Sequence, residues 1–242
     1  TAYYDRAVKA YTDAITRRAN HPEAFLERGH VQLHANRREE AAKDLERVAT
    51  LKFGGARWLV QRGSILHEFG RVDEAVADYE QALKLRPGDP QILSSLGQIH
   101  YQKRDYGRAR EQYDLLLKSD PKNASALSAR GIALVGAGDL DAGLADLLAA
   151  RALQPSLRDL DYRVGSARLA LKDYAKAAEE FDRHLARNLN DDRALFARGQ
   201  ARAGLGRLEE AIQDWERVAA MNSRLAPQAR ERITETRERL GR

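Results

Sequence analysis

Residues 56–89 read ARWLVQRGSILHEFGRVDEAVADYEQALKLRPGD, and the spacing of small residues in this stretch predicts the architecture of the whole chain. The glycine at position 63 recurs every 34 residues without an insertion, giving the series Gly29, Gly63, Gly97, Gly131, Gly165 and Gly199. Twelve residues after each glycine stands another small residue, in the series Ala41, Ala75, Ala109, Gly143, Ala177 and Ala211. Four residues further stands a large apolar or aromatic residue, in the series Leu45, Tyr79, Tyr113, Leu147, Phe181 and Trp215. A fixed period across six copies predicts a stack of repeated structural units.

Each unit is predicted to be a pair of antiparallel helices. Apolar residues recur at helical spacing in residues 56–69 and again in residues 73–85. Gly70 is a typical helix terminator, so the turn between the two helices should be short. Gly63 and Ala75 would then face each other, where two small residues let the backbones approach closely. A larger residue at the glycine position should overpack this contact by about 1–3 kcal/mol.

The period and the glycine–alanine–aromatic spacing resemble the tetratricopeptide repeat, and the resemblance covers essentially the whole chain. It implies an all-α, right-handed superhelical solenoid of 34-residue helix–turn–helix repeats. We expect a single solenoid domain that opens on a half repeat and ends in a mostly polar capping helix. The half repeat is residues 1–21, the full repeats are residues 22–55, 56–89, 90–123, 124–157, 158–191 and 192–225, and the cap is residues 226–242.

A second correlation runs through the repeats. Arginine precedes the repeated glycine in four of the six copies, and the same four copies carry aspartate fifteen residues after that glycine. The other two copies carry neither residue. Because the guanidinium fork suits a carboxylate, we expect structural ion pairs between the helices of one repeat or between adjacent repeats. The residues concerned are Arg28, Asp44, Arg62, Asp78, Arg130, Asp146, Arg198 and Asp214.

The resemblance also implies where a partner binds. In the family the first helices line a concave groove that binds extended peptides or partner helices, through side chains three before, one after, and four or five after the repeated glycine. Carried onto this sequence, the partner-binding residues are His30, His34, Ser64, His67, Ser94, Gln98, Tyr101, Gln102, Ser128, Tyr162, Ser166, Phe196 and Gln200. The same positions include Leu26, Leu33, Val60, Glu68, Ile132, Val135, Gly136 and Leu169. This neutral, polar and aromatic lining suits hydrogen bonding along a peptide backbone, although any single position can be ordinary solvated helix surface.

One branch of the family is not indicated. Chaperone-binding members grip a terminal carboxylate with lysine, asparagine and arginine side chains, but Leu26 and His30 stand where the lysine–asparagine pair would be. We therefore do not assign a receptor for chaperone tails.

The histidines raise a separate question. His30 and His34 are four residues apart on one helix, and His67 is expected on the same face of the neighbouring helix. Two histidines at this spacing can chelate zinc, copper or nickel. Residue 31 is valine, so the zinc-protease motif is absent. Peptide contact is the more common use of such histidines, and we assign no metal and no cofactor from the sequence.

Composition and motifs weigh against other function classes. The 242 residues contain no cysteine, no G-x-S-x-G motif and no glycine-rich phosphate loop, so we expect no enzyme in this chain. The net charge is +5, but acidic residues are interleaved with the basic ones along the chain. The predicted groove has no stripe of arginine or lysine, so we expect no nucleic acid partner. No apolar run is long enough to predict insertion into a membrane. Nothing in the sequence indicates a cellular location.

These observations favour a non-catalytic scaffold that binds a peptide or protein segment in its concave groove. The alternative is a structural or self-assembling module that acts through its stacked ends or convex surface and supports a larger multidomain protein. In that case the exposed terminal repeat could pair with another copy as a homo-oligomer.

Overall fold

A computed structural model describes residues 2–51 and 54–241 of the chain. These residues form fourteen α-helices, and no β-strand occurs among them. The helices are α1 (Ala2–Arg17), α2 (Pro22–His34), α3 (Arg38–Thr50), α4 (Ala56–Glu68), α5 (Val72–Leu85), α6 (Pro90–Gln102), α7 (Tyr106–Ser119), α8 (Ala124–Ala137), α9 (Leu140–Leu153), α10 (Leu160–Ala170), α11 (Tyr174–Arg187), α12 (Asp192–Gly204), α13 (Leu208–Ala219) and α14 (Ala226–Arg239). None of the helices in this part of the chain is long and apolar enough to cross a membrane.

The helices pack in sequential pairs, as a helix–turn–helix repeat requires. Helix α2 packs on α3, α4 on α5, α8 on α9, α10 on α11, and α12 on α13. Successive pairs also touch, since α7 packs on α8, α9 on α10 and α11 on α12. The final helix α14 packs on α13 and buries Ala229 and Ile233. The chain is therefore an all-α helical repeat solenoid, as the sequence predicts.

Contacts divide the chain into two compact units, residues 1–99 and 100–242. In the first unit, the buried cluster includes Leu26 on α2, Trp58 on α4 and Tyr79 on α5. In the second unit, a cluster around Phe181 and Trp215 extends from α11 to α14. Both clusters consist of apolar side chains from successive helices. This is the arrangement expected of a solenoid, in which each repeat packs on its neighbours and no single central core exists.

Small residues bring the two helices of a pair together. A Cβ atom added to Gly63 on α4 would lie 3.3 Å from the carbonyl oxygen of Ala75 on α5, and 3.3 Å from the ring of Tyr79. Gly63 and Ala75 thus face each other, and a side chain at position 63 would press against the backbone of α5. At Gly199 on α12 the added Cβ atom would lie 2.4 Å from the indole nitrogen of Trp215 on α13. The regular glycine therefore makes space for the large residue that follows sixteen positions later.

The turn inside each repeat has one shared backbone feature. A residue with positive φ follows the first helix in all six copies, again at intervals of 34 residues. These residues are Asn36 (φ 60°), Gly70 (φ 82°), Arg104 (φ 60°), Gly138 (φ 92°), Lys172 (φ 61°) and Gly206 (φ 77°). The following amide donates to the carbonyl five residues back, as Arg71 does to Leu66 at 2.8 Å and Asp173 does to Arg168 at 2.9 Å. This is the Schellman motif, which ends a helix on a left-handed residue.

Candidate functional site

In the first unit, the residues predicted to bind a partner are all accessible to solvent. Each is at least partly exposed on α2, α4 or α6. They are His30, His34, Ser64, His67, Ser94 and Gln98. The Ser64 hydroxyl hydrogen-bonds the Tyr79 phenol, which is also bonded by Ser95. Burial raises the pKa of Tyr79 above its ordinary value of 10, against the opposing effect of these two hydrogen bonds.

In the second unit, the predicted residues gather around one cleft. Its volume is about 360 Å³. It is lined by Tyr101, Ile132, Val135, Gly136, Leu147, Asp159, Tyr162, Arg163, Ser166 and Arg193. Six of these ten are residues that the family resemblance places in the groove, and they come from α6, α8 and α10. We call this site the tyrosine cleft, because Tyr101 and Tyr162 belong to its lining.

Packing fixes the walls of the tyrosine cleft. The ring of Tyr101 lies 5.6 Å from that of Tyr106 on α7, centroid to centroid. Tyr106 in turn lies against Gly136, where an added Cβ atom would come within 2.6 Å of its ring. Gly136 therefore admits an aromatic ring that a larger residue would displace. The ring of Tyr162 contacts Phe181 and His184 at 5.8 and 5.7 Å, which ties the other wall to the buried face of α11.

Two arginines in the tyrosine cleft were not predicted. The Arg163 guanidinium donates through Nη1 to the Ser128 hydroxyl at 2.8 Å. The Arg193 guanidinium lies 5.1 Å from the centroid of the Tyr162 ring, a cation–π contact, and pairs with Asp191 at 3.2 Å. The sequence did offer one signal, because Arg163 is the only basic residue at its repeat position. The other copies have Glu27, Gln61, Ser95, Ala129 and Ala197 there.

Ser128 is the buried member of the predicted partner-binding residues. Its side chain is fully buried, at 0% exposure, and is bonded by Arg163. Its hydroxyl accepts a hydrogen bond from Arg163, so Ser128 helps to hold this arginine in place. The other predicted residues of this unit are exposed or half-buried: Tyr101, Gln102, Tyr162, Ser166, Phe196 and Gln200.

Burial keeps the Tyr101 phenol of the cleft neutral. Burial raises the pKa of Tyr101, and the neighbouring Tyr106 and Tyr162 raise it further, while Arg163 acts in the opposite direction. A neutral phenol can both donate and accept a hydrogen bond. The cleft thus combines apolar walls, phenol groups, two guanidinium groups and the carboxylate of Asp159.

The four arginine–aspartate pairs are bidentate contacts between the two helices of one repeat. Arginine Nε donates to aspartate Oδ2, and a terminal nitrogen donates to Oδ1. The respective distances are 2.8 and 2.6 Å in Arg28–Asp44, 2.7 and 2.5 Å in Arg62–Asp78, 2.7 and 2.9 Å in Arg130–Asp146, and 2.9 and 2.5 Å in Arg198–Asp214. The aspartates lie under the arginines, with Asp44, Asp78 and Asp214 at 2–4% exposure. Parallel bonds of this kind fix geometry as well as energy.

Some of these arginines also reach the preceding repeat. Arg130 Nη1 donates to Asp114 on α7 at 2.7 Å, and Arg198 Nη1 donates to Asp182 on α11 at 2.6 Å. Arg28 Nη1 donates to the Thr12 hydroxyl on α1 at 3.1 Å. In each case the extra partner precedes the arginine by sixteen residues. One guanidinium therefore connects three successive helices.

The fifth repeat, which lacks the arginine, pairs its acid differently. Glu180 on α11 is 1% exposed and accepts from Arg151 on α9 at 2.7 Å. Arg183 approaches the same carboxylate at 3.1 Å. The buried acid is thus compensated by Arg151 of the preceding repeat and by Arg183 of its own helix, as a buried charge requires.

One group of side chains among the described residues could hold a metal ion. It consists of His30, His34 and Glu68, whose ligand atoms all lie within 4.8 Å of one another. His67, which the sequence places on the same face, is not a member of this group.

Comparisons with known proteins agree with this architecture. The sequence profile described as Tetratricopeptide repeat matches residues 4–58, 60–124, 128–188 and 165–230. No curated protein sequence matches the chain. A tetratricopeptide repeat protein from Parabacteroides merdae has a similar structure, with a TM-score of 0.75, 17% identity, and coverage of 97% of this chain and 92% of that one.

Two other solved structures are similar. The C-terminal part of a TPR repeat-containing protein from Cytophaga hutchinsonii has a TM-score of 0.68 and 14% identity, with 94% of each chain covered. The APC/C hetero-tetramer Cut9–Hcn1 contains a chain with a TM-score of 0.71 and 16% identity, covering 96% of this chain and 46% of that one. At these identities the likeness concerns the fold. The sequence profile covers most of the chain, which therefore belongs to the tetratricopeptide repeat family.

Proposed function

We propose that this chain is a non-catalytic scaffold that binds an extended segment of a partner protein on its first helices, with the tyrosine cleft as the main contact. Tetratricopeptide repeats generally mediate protein–protein interaction, and the fold is generally a non-enzymatic scaffold. The observation that carries the proposal is the lining of the cleft, six of whose residues lie at the family's partner-binding positions.

The chemistry of the cleft indicates what kind of segment it would take. Ile132 and Val135 offer apolar surface, and Tyr101 and Tyr162 offer aromatic surface with polar tips. Such a cavity suits one large apolar or aromatic side chain as an anchor. The guanidinium groups of Arg163 and Arg193 would favour a backbone carbonyl beside that anchor, since the carboxylate of Asp159 also lines the cleft.

The proposal can be tested by selecting peptides from a random displayed library on the intact chain and measuring their binding by fluorescence anisotropy. We expect Tyr162→Ala to weaken binding of the selected peptides by about tenfold or more, the loss typical of removing a central aromatic contact. Tyr3→Ala is the matched control, because Tyr3 is 73% exposed on α1 and lies outside the cleft. Equal loss in both variants, or no loss in Tyr162→Ala, would refute binding in the cleft.

A self-assembling module is the second candidate. Helix α1 contains no fully buried residue, and Tyr3 on it is largely exposed. A second copy could pack on this exposed face of α1. Light scattering distinguishes the two candidates, since a monomer that binds one peptide supports the scaffold, whereas a mass that rises with concentration and falls in Tyr3→Ala supports assembly through α1.

A further inference from the structure

His30, His34 and Glu68 lie together at the ends of two neighbouring first helices. His34 is the last residue of α2, and His30 precedes it by one turn. Glu68 is the last residue of α4 and follows His34 by one repeat period in the sequence. The stacking of one repeat on the next thus brings a carboxylate beside a pair of imidazoles. All three side chains are in the first compact unit, and all are at least partly accessible to solvent.

The three ligand atoms form a small triangle. His30 Nε2 and His34 Nε2 are 2.9 Å apart. Glu68 Oε2 lies 3.5 Å from His30 Nε2 and 3.7 Å from His34 Nε2. A tetrahedral zinc ion with bonds near 2.1 Å holds its ligand atoms about 3.4 Å apart. The measured edges fall on both sides of that value, so small side-chain rotations would fit the triangle to one face of a tetrahedron.

Hydrogen bonding alone does not account for this triangle. The two imidazoles can share one N–H···N hydrogen bond at 2.9 Å. Glu68 is then left 3.5 and 3.7 Å from the ring nitrogens, beyond the usual limit of about 3.2 Å for such a bond, although close enough for an ion pair when a ring is protonated. A divalent cation at the centre would instead bond to all three atoms and balance the carboxylate charge.

We propose that His30, His34 and Glu68 form a binding site for a divalent transition metal of the zinc class. Two imidazole nitrogens with one carboxylate oxygen suit zinc, copper and nickel, whereas magnesium and calcium prefer oxygen ligands throughout. Two histidines one helical turn apart are a recurrent zinc-binding arrangement. Three protein ligands leave a coordination position open to water or to a donor atom from a partner. The bound metal would join α2 to α4 and so fasten one repeat to the next.

The direct test is titration of the chelator-treated, intact chain with Zn²⁺ by isothermal calorimetry, with Mg²⁺ in a parallel experiment. We expect one zinc ion per chain, no heat with Mg²⁺, and a higher melting temperature in zinc, because a ligand that binds the folded state stabilises it. Replacing zinc by Co²⁺ should produce visible absorption from bound cobalt. Absence of heat with Zn²⁺ would overturn the proposal without any variant.

Variants locate the ion. His34→Gln and Glu68→Gln should each weaken zinc binding by about tenfold or more, since loss of a ligand should cost at least as much as loss of a supporting contact. His67→Gln is the matched control, since it changes a histidine on α4 outside the triangle, and it should bind zinc as the unchanged chain does. Circular dichroism of each variant checks the fold. Full zinc binding by folded His34→Gln, or loss of binding in His67→Gln alone, would place the ion elsewhere and refute this site.

Discussion

Gly131 on α8 and Gly143 on α9 lie in direct backbone contact. A Cβ atom added to Gly131 would be 2.9 Å from the Gly143 carbonyl oxygen, and one added to Gly143 would be 2.7 Å from the Gly131 carbonyl oxygen. In the pair formed by Gly63 and Ala75 the corresponding distance from position 63 is 3.3 Å. The fourth repeat is thus the copy in which both small residues are glycine and in which no methyl group fits at either position.

We expect Gly131→Ala to destabilise the chain. Overpacking against backbone costs about 1–3 kcal/mol, and the better helix propensity of alanine offsets only about 0.5–1 kcal/mol of it. The measurement is the urea midpoint of unfolding. Gly107→Ala is the matched control, because Gly107 lies in α7 with nothing closer than 4.0 Å to an added Cβ atom, and it should be neutral or stabilising. Equal midpoints for the two variants would contradict the packing argument.

The buried ion pairs give a second expectation. Asp78 is 4% exposed and accepts two hydrogen bonds from Arg62, so Asp78→Ala would leave a half-buried guanidinium without its partner. We expect a loss of up to about 3–5 kcal/mol in the free energy of unfolding. The control is Glu74→Ala, since Glu74 pairs with Arg71 on the surface, where such pairs contribute about 0–1 kcal/mol. Unchanged thermal stability of Asp78→Ala would refute a structural role for the pair.

The left-handed turn inside each repeat gives a third expectation for stability. Lys172 has φ 61°, a left-handed conformation that glycine occupies at the equivalent Gly70. Because a side chain costs roughly 1–2 kcal/mol in this region, Lys172→Gly should raise the free energy of unfolding by about 1 kcal/mol, while Gly70→Ala should lower it. Asn36→Gly should gain less, since asparagine tolerates this conformation better. Differential scanning calorimetry of the three variants checks this order.

The sequence predicts the features that repeat and misses those that depend on single copies. The 34-residue glycine series predicts the helix pairs because the same packing constraint acts in every repeat. The left-handed turn is just as regular, but Asn36, Arg104 and Lys172 hide it, since a backbone conformation needs no fixed residue type. The cleft arginines Arg163 and Arg193 escape notice for another reason. An arginine side chain is long, and only tertiary packing determines where its guanidinium group lies.

The His184–Asp191 contact gives a pH dependence. His184 on α11 is 3% exposed, and its Nε2 lies 2.9 Å from Asp191 Oδ2. Asp191 also accepts from the backbone amides of Arg193 and Ala194 at the start of α12. Burial alone would raise the pKa of Asp191, but the hydrogen bonds from His184, Arg193 and Ala194 outweigh it, so the pKa lies below its ordinary value.

A lowered pKa means that folding favours the ionised carboxylate. This stabilisation is fully present above the unfolded pKa of about 3.9, and it is lost as the pH falls through the lower folded value. We therefore expect the unchanged chain to melt at a higher temperature than Asp191→Asn near pH 5, and this difference to shrink as the pH falls below about 4. Asp13→Asn, at an exposed position on α1, should show no such change. The measurement is a series of melting curves from about pH 5 to about pH 2.5. If the difference in melting temperature between the unchanged chain and Asp191→Asn stays constant over this range, the Asp191 charge does not stabilise the junction between α11 and α12.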